Sequence, residues 1–164
     1  VRGRTMAQST TDTVFDKIVR GDIPSFKVWE SATHLAFLTP FPNTPGFTVV
    51  IPKTNQGDDV FELDDIAYQG LMLAAKTVAA KLKKALGVAR VGLVYEGTGI
   101  PYVHAKLIPM HGDLATQTGV WSKHQEFYPE YAGYLTTVEG PRMSDDELRA
   151  LQERICGVVP SSVD

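Results

Sequence analysis

Asp64 to Leu86 is the one segment in this chain long enough, and regular enough in its apolar spacing, to form a multi-turn helix. Ile66, Leu71, Leu73, Val78, Leu82 and Leu86 supply its apolar side. Gly87 follows as a C-terminal cap, and Lys81, Lys83 and Lys84 sit where the helix dipole favours cations, as a solvated face. Asp58, Asp59, Asp64 and Asp65 gather at its start, where the same dipole favours acids. Every other apolar run is short and bounded by proline or glycine. Lys27 to Glu30, Leu35 to Leu38, Phe47 to Ile51, Val91 to Tyr95 and Tyr102 to Ile108 read as strands, and Tyr134 to Val138 as a further one. Thr13 to Arg20 reads as a short helix. Ser144-Asp145-Asp146-Glu147 has the form of a capping box and opens a last helix to about Cys156. One long helix among short strands predicts an α+β fold: an antiparallel sheet of about five strands with a short N-terminal helix and a C-terminal extension ending in a helix.

The chain has 164 residues, 43% of them hydrophobic, enough for one compact core. A formal net charge of -3 argues against nucleic acid or an anionic membrane surface as partner, while a small anion remains within reach of local cations. No apolar run approaches the ~18 residues of a membrane span. The one cysteine, Cys156, excludes an internal disulfide and reads as a small core residue, consistent with a cytoplasmic setting. Residues 1–12 read as a polar tail without a signal-peptide core, with Met6 a candidate start and Val1 to Thr5 a remnant. Residues 13–112 form the main domain. Residues 113–164, rich in Trp121, Phe127, Tyr128, Tyr131 and Tyr134, form an extension packed on it that covers the site or a dimer partner.

Chemistry concentrates in Ile100-Pro101-Tyr102-Val103-His104-Ala105-Lys106-Leu107-Ile108-Pro109. Alternate side chains of a strand share a face, so Tyr102, His104 and Lys106 face one way, and Val103, Ala105 and Leu107 pack on a core the other way. A phenol, an imidazole and an ammonium in a row suit an exposed site on a rigid scaffold. Neutral imidazole is a good nucleophile near neutral pH, and attack on phosphorus by His104 splits one hard displacement into two. Lys106 neutralises charge on non-bridging oxygens, and Tyr102 orients a group or donates a hydrogen bond. The turn Gly97-Thr98-Gly99 brings backbone N–H groups near a phosphate. A His-x-Lys strand and a Gly-x-Gly turn are each common, and neither alone assigns a function. His111 ends the site strand, and His34 and His124 read as surface or satisfied histidines. Four histidines without carboxylates at ligand spacing make no metal site, and no cofactor is implied.

These residues resemble the motif of the histidine-triad (HIT) superfamily, three histidines at alternate strand positions after a glycine-containing turn. Three more segments match in order. Val14 to Pro24 resembles the family's opening helix, Leu35-Ala36-Phe37 with the Pro-rich loop its nucleoside-binding strand, and Phe47 to Lys53 its Ile-Pro-Lys strand. The likeness covers about Thr13 to Pro109 and stops by Gly112. It implies a two-layer α+β domain, commonly a homodimer. The activity it implies is nucleotidyl hydrolase or transferase chemistry at the α-phosphorus of nucleoside phosphoramidates or dinucleoside polyphosphates, through a nucleotidyl-histidine intermediate on His104. It also maps Phe15, Ile18, Phe37 and Val49 onto the base pocket, with Leu38, Thr39 and Tyr95 beside the nucleoside. The chain departs from the pattern at Tyr102 and Lys106, which replace two triad histidines. Thr39 stands at the acidic ribose position, Tyr95 where the preceding strand often ends in Asn, and the phosphate loop is shortened. Relatives with His-Ala-Lys exist, which makes Lys106 a branch feature. The departures keep open a non-catalytic nucleotide- or phosphate-binding protein, and a sugar-phosphate nucleotidylyltransferase-like activity.

Overall fold

The structure, a computed structural model, describes residues 12–117 and 119–158. The expected tail therefore lies outside the described residues, apart from Asp12, whose carboxylate binds Arg20 at 2.7 Å. Five short strands form one antiparallel sheet: β1 (Phe26–Glu30), β2 (His34–Leu38), β3 (Thr48–Pro52), β4 (Val91–Val94) and β5 (Ala105–Pro109), in spatial order β1-β2-β3-β5-β4. Three helices accompany it: α1 (Val14–Arg20), α2 (Asp65–Leu86) and α3 (Asp145–Cys156). The α+β expectation and the count of strands hold.

Both faces of the sheet are covered, which explains why β3 is buried along its whole length. The register aligns Ala36 with Val50 and Val50 with Ala105; these residues face α2 and α3 in the main core, with Leu71, Val78, Leu82, Leu148 and Ile155. The alternate residues Phe37, Val49 and Lys106 align on the opposite face. There Phe15 of α1, Leu35, Phe37, Phe47, Val49, Ile51 and Tyr102 make a second, smaller apolar cluster. The site grows on this second face.

Local signals set the helix ends. Thr13 and Ser144 each close a capping box, and Asp64 accepts the Ala67 N–H at 2.8 Å. Gly87 ends α2 in the left-handed conformation, as its position after Leu86 predicts.

Several expectations need correction. Ile66 and Leu73 do not belong to the buried side of α2: they are 85% and 63% exposed, and Ala74, Ala75 and Ala85 line the core in their place. The segment around Tyr134 to Val138 forms no strand; its backbone is drawn aside by side-chain bonds described below. Pairing in β5 begins only at Ala105, because the Val103 N–H donates instead to the Gly57 carbonyl at 2.7 Å. Cys156 is not a core residue: it is exposed at the end of α3, its thiol 3.6 Å from the Lys27 carbonyl of β1.

Candidate functional site

A cavity of about 870 Å³ opens on the second face of the sheet. Phe15, Ile18, Phe37, Leu38, Thr39 and Val49 all line it, as do Thr98, Gly99, His104 and Lys106. The residues singled out from sequence for base, phosphate and catalysis thus line one cavity, with three exceptions.

Tyr102 is the first. It keeps the side of the sheet that alternation assigns it, but it is 0% exposed and packed in the second apolar cluster, edge-on to Phe15. Its hydroxyl donates to the Pro52 carbonyl. The phenol is consumed by the fold and does not reach the cavity, and burial pushes its acidity far out of the working range. Tyr95 is the second. Its hydroxyl donates to the Met72 sulfur at 3.3 Å, and burial raises its pKa to about 12. Gly97 is the third. It sits at φ 70°, and an added Cβ would lie 2.7 Å from the Asp58 carbonyl oxygen, so only glycine fits there. Tyr95 and Gly97 line a smaller cavity of about 310 Å³, together with Asp58, Glu96 and His104.

His104 lies in the wall between the two cavities, only 6% exposed. Its Nδ1 is 2.6 Å from the Tyr102 carbonyl oxygen. A carbonyl only accepts, so Nδ1 carries the proton and Nε2 carries the lone pair. Among the described residues Nε2 makes no hydrogen bond and no fully enclosed side-chain nitrogen or oxygen lacks a partner, so Nε2 is not sealed from the surface. Phe15 meets the imidazole edge-on at 5.2 Å and limits its rotation. Burial lowers the pKa below 6.5, reinforced by the Lys106 charge and opposed by the Tyr102 carbonyl and Glu96. The ring is neutral near neutral pH, with one nitrogen fixed and the other available.

Lys106 projects from β5 between Val49 and Val94. Its ammonium donates to Thr137 Oγ1 at 3.1 Å, lies 3.8 Å from Glu96 Oε1, and sits 4.5 Å from the centre of the Tyr134 ring. Burial lowers its pKa, while the charges of Glu96 and Glu139 act in the other direction. Burial works to raise the Glu96 pKa, but hydrogen bonds from Thr137, Tyr134 and Tyr131 outweigh it and leave the carboxyl below its ordinary value.

Glu96, Tyr131, Tyr134 and Thr137 were not singled out as site residues by sequence reasoning. Glu96 was visible only as part of a turn. The other three come from the aromatic extension, which folds back here: Gly140 and Met143 donate their N–H groups to the Phe41 and Pro40 carbonyls of the Pro-rich loop. The phenol of Tyr134 covers the Gly99 turn so closely that a Cβ on Gly99 would come 1.9 Å from its oxygen. Trp121 and Phe127, by contrast, remain almost fully exposed.

Thr39 lines the cavity, but its hydroxyl already accepts the Phe41 N–H at 3.2 Å and so braces the Pro-rich loop. His111 lies outside the cavity, its Nε2 2.8 Å from the Pro45 carbonyl. His34 is half-buried with Nδ1 2.8 Å from Thr33 Oγ1, and His124 is exposed.

Residues 20–112 match the family model of the HIT domain. A HIT-like protein of Mycoplasma genitalium is 32% identical over 150 residues, spanning 88% of this chain and 95% of its own. The adenosine 5'-monophosphoramidase hnt1 of Schizosaccharomyces pombe is 34% identical over 101 residues, 58% of this chain and 72% of its own. The crystal structure of a HIT family member from Bacillus subtilis superposes with a TM-score of 0.58 at 30% identity, covering 70% of this chain and 84% of that one.

Proposed function

The chain belongs to the HIT family, and from that membership we propose that it is a nucleotidyl hydrolase or transferase working through a covalent intermediate on His104. The observation that carries this reading is the imidazole itself: Nδ1–H tied to the Tyr102 carbonyl, Nε2 unpartnered, the ring kept neutral by burial, and a cavity beside it. Nε2 attacks the α-phosphorus of a nucleotide and the leaving group departs with the bonding pair, giving a nucleotidyl-histidine. Water or another acceptor then takes the nucleotidyl group and returns the imidazole to its starting state. The fixed Nδ1–H bond holds the attacking lone pair in one direction, which is the entropic part of the rate gain. The Lys106 ammonium stabilises charge growing on the non-bridging oxygens. Phe15, Ile18, Phe37 and Val49 form an apolar slot for a base, and Thr98 and Gly99 flank the phosphate.

A phosphoramidate is the first substrate to try, because the hnt1 relative is described as an adenosine 5'-monophosphoramidase. Incubation with adenosine phosphoramidate and with diadenosine tetraphosphate, beside His104→Ala, tests the reading. Release of AMP that stops with the variant supports it, and release that continues removes His104 from the reaction. Turnover of neither, with binding across a nucleotide panel, favours a non-catalytic nucleotide-binding protein. The replacement of two triad histidines by Tyr102 and Lys106, with Thr39 at the acidic ribose position, is the observation on that side.

A homodimer is part of the same reading. Ile66 and Leu73 stand seven residues apart on the outward side of α2, with Phe61 exposed just before it, an apolar strip that a second copy would cover.

A further inference from the structure

The third triad position holds a lysine whose surroundings are built from two distant parts of the chain. Glu96 Oε1 accepts from the Thr137 hydroxyl, and its Oε2 accepts from the Tyr131 hydroxyl at 2.9 Å and from the Tyr134 N–H at 2.8 Å. Thr137 Oγ1 in turn accepts from the Lys106 ammonium at 3.1 Å. The side chains of Glu96 and Lys106 are both almost fully buried. Tyr134, at φ 56°, holds a left-handed backbone that a tyrosine seldom adopts, and its N–H is aimed at the carboxylate from there.

Placement decides what this cluster does. Lys106, Thr137 and Tyr134 line the large cavity, whereas Glu96 lines only the smaller one behind. The Glu96 carboxylate is therefore absent from the lining of the cavity that Lys106 shares, whereas Glu139, the other acid acting on the ammonium, lines that cavity. An ammonium has three donors, and Thr137 takes one of them. A hydroxyl between the charges keeps the pair at 3.8 Å. Thr137 Oγ1 thus bonds to both members of the ion pair.

We propose that Glu96, acting through Thr137 of the extension, is a positioning residue that keeps Lys106 protonated and aimed into the cavity, so that residues beyond the HIT-domain match complete the phosphate subsite. Given that the reading of this site as a nucleotidyl-transfer centre holds, this is how a lysine serves at the position of the third triad histidine. The charged groups facing the Lys106 ammonium are Glu96 and Glu139, and the titratable rings nearby are His104 and Tyr134.

The test is the titration of the Lys106 ammonium by NMR, followed at its ε-carbon, in the full chain. Wild type, Glu96→Gln, Glu96→Asp and Thr137→Val are compared, with kcat/KM against pH measured on adenosine phosphoramidate. Glu96→Gln is expected to lower the lysine midpoint by about one unit, and Thr137→Val to lower it by less. Glu96→Asp restores most of the wild-type value. The alkaline limb of kcat/KM moves with the midpoint, a correlation that a merely structural Glu96 would not produce. A midpoint unchanged in Glu96→Gln and Thr137→Val overturns the proposal. If Glu96→Gln does not fold, Thr137→Val decides alone. The lysine titration needs no turnover, so the two readings fail separately. An inactive wild type whose midpoint still falls on Glu96→Gln keeps the positioning role and removes the enzyme. His104-dependent turnover with an unmoved midpoint removes the positioning role only.

Discussion

A side chain's chemistry in this site is set by which of its polar atoms the fold consumes. Tyr102 and His104 lie two residues apart on one side of the sheet, yet the Tyr102 hydroxyl is spent on the Pro52 carbonyl while His104 keeps Nε2 free. Tyr102→Phe strands that buried carbonyl and is expected to lower stability by about 1 to 3 kcal/mol, read by denaturant unfolding, with kcat on a nucleotide substrate close to wild type. A loss of kcat with unchanged stability would return the phenol to the reaction. The His104 pKa is lowered chiefly by burial, so the folded protein binds fewer protons there than the unfolded chain. Its contribution to stability is therefore full above 6.5 and is lost as pH falls from 6.5 through the lower folded value. The acid limb of kcat/KM, which needs the neutral ring, is predicted to lie below 6.5 for the same reason; an inflection above 6.5 contradicts the burial argument. His104 and Lys106 were legible because period-two alternation is a local property. Glu96 and Thr137 were not, because their contact spans 41 positions and no local pattern encodes it.

At the scale of elements, the helices and four of the five strands were read nearly to their ends, since proline, glycine and capping residues are local stops, while the expected Tyr134 to Val138 strand does not form. The faces of α2 were read less well. Apolar spacing alone admitted Ile66 and Leu73 to the core, whereas small alanines pack nearest the sheet and push those two outward. The late start of β5 was also hidden, because the Val103 N–H finds its partner at Gly57, in a loop distant in sequence. The turn before β5 is where element geometry and site meet. Gly99 sits at φ 84° under the Tyr134 phenol. Gly99→Ala is expected to cost about 1 to 2 kcal/mol of backbone strain and to displace Tyr134 from the cavity. Tyr134 quenching by acrylamide should rise in the variant, followed in a background where the other exposed aromatics are replaced; unchanged protection would mean the phenol does not lie on this turn.

For the molecule as a whole, the extension is both scaffold and cavity wall. Leu148 and Ile155 of α3 are fully buried in the main core, while Tyr134 and Thr137 wall the cavity. The HIT-domain match ends at residue 112, so these residues stand outside the matched span. The outward strip on α2 belongs to this scale as well. Leu73→Lys is predicted to shift a dimer to monomer in sedimentation velocity without unfolding it, and a wild type that sediments as a monomer contradicts the dimer. Among the described residues no helix is long and apolar enough to cross a membrane. The proposed function turns on covalent chemistry at one imidazole, that of His104. Wild-type protein mixed with adenosine phosphoramidate, quenched in alkali to protect the phosphorus–nitrogen bond, and mapped by peptide mass spectrometry tests it most directly. One adenylyl group is expected on the peptide containing His104 at early times, absent from His104→Ala. Turnover with no adduct on that peptide, or with the adduct on another residue, contradicts it.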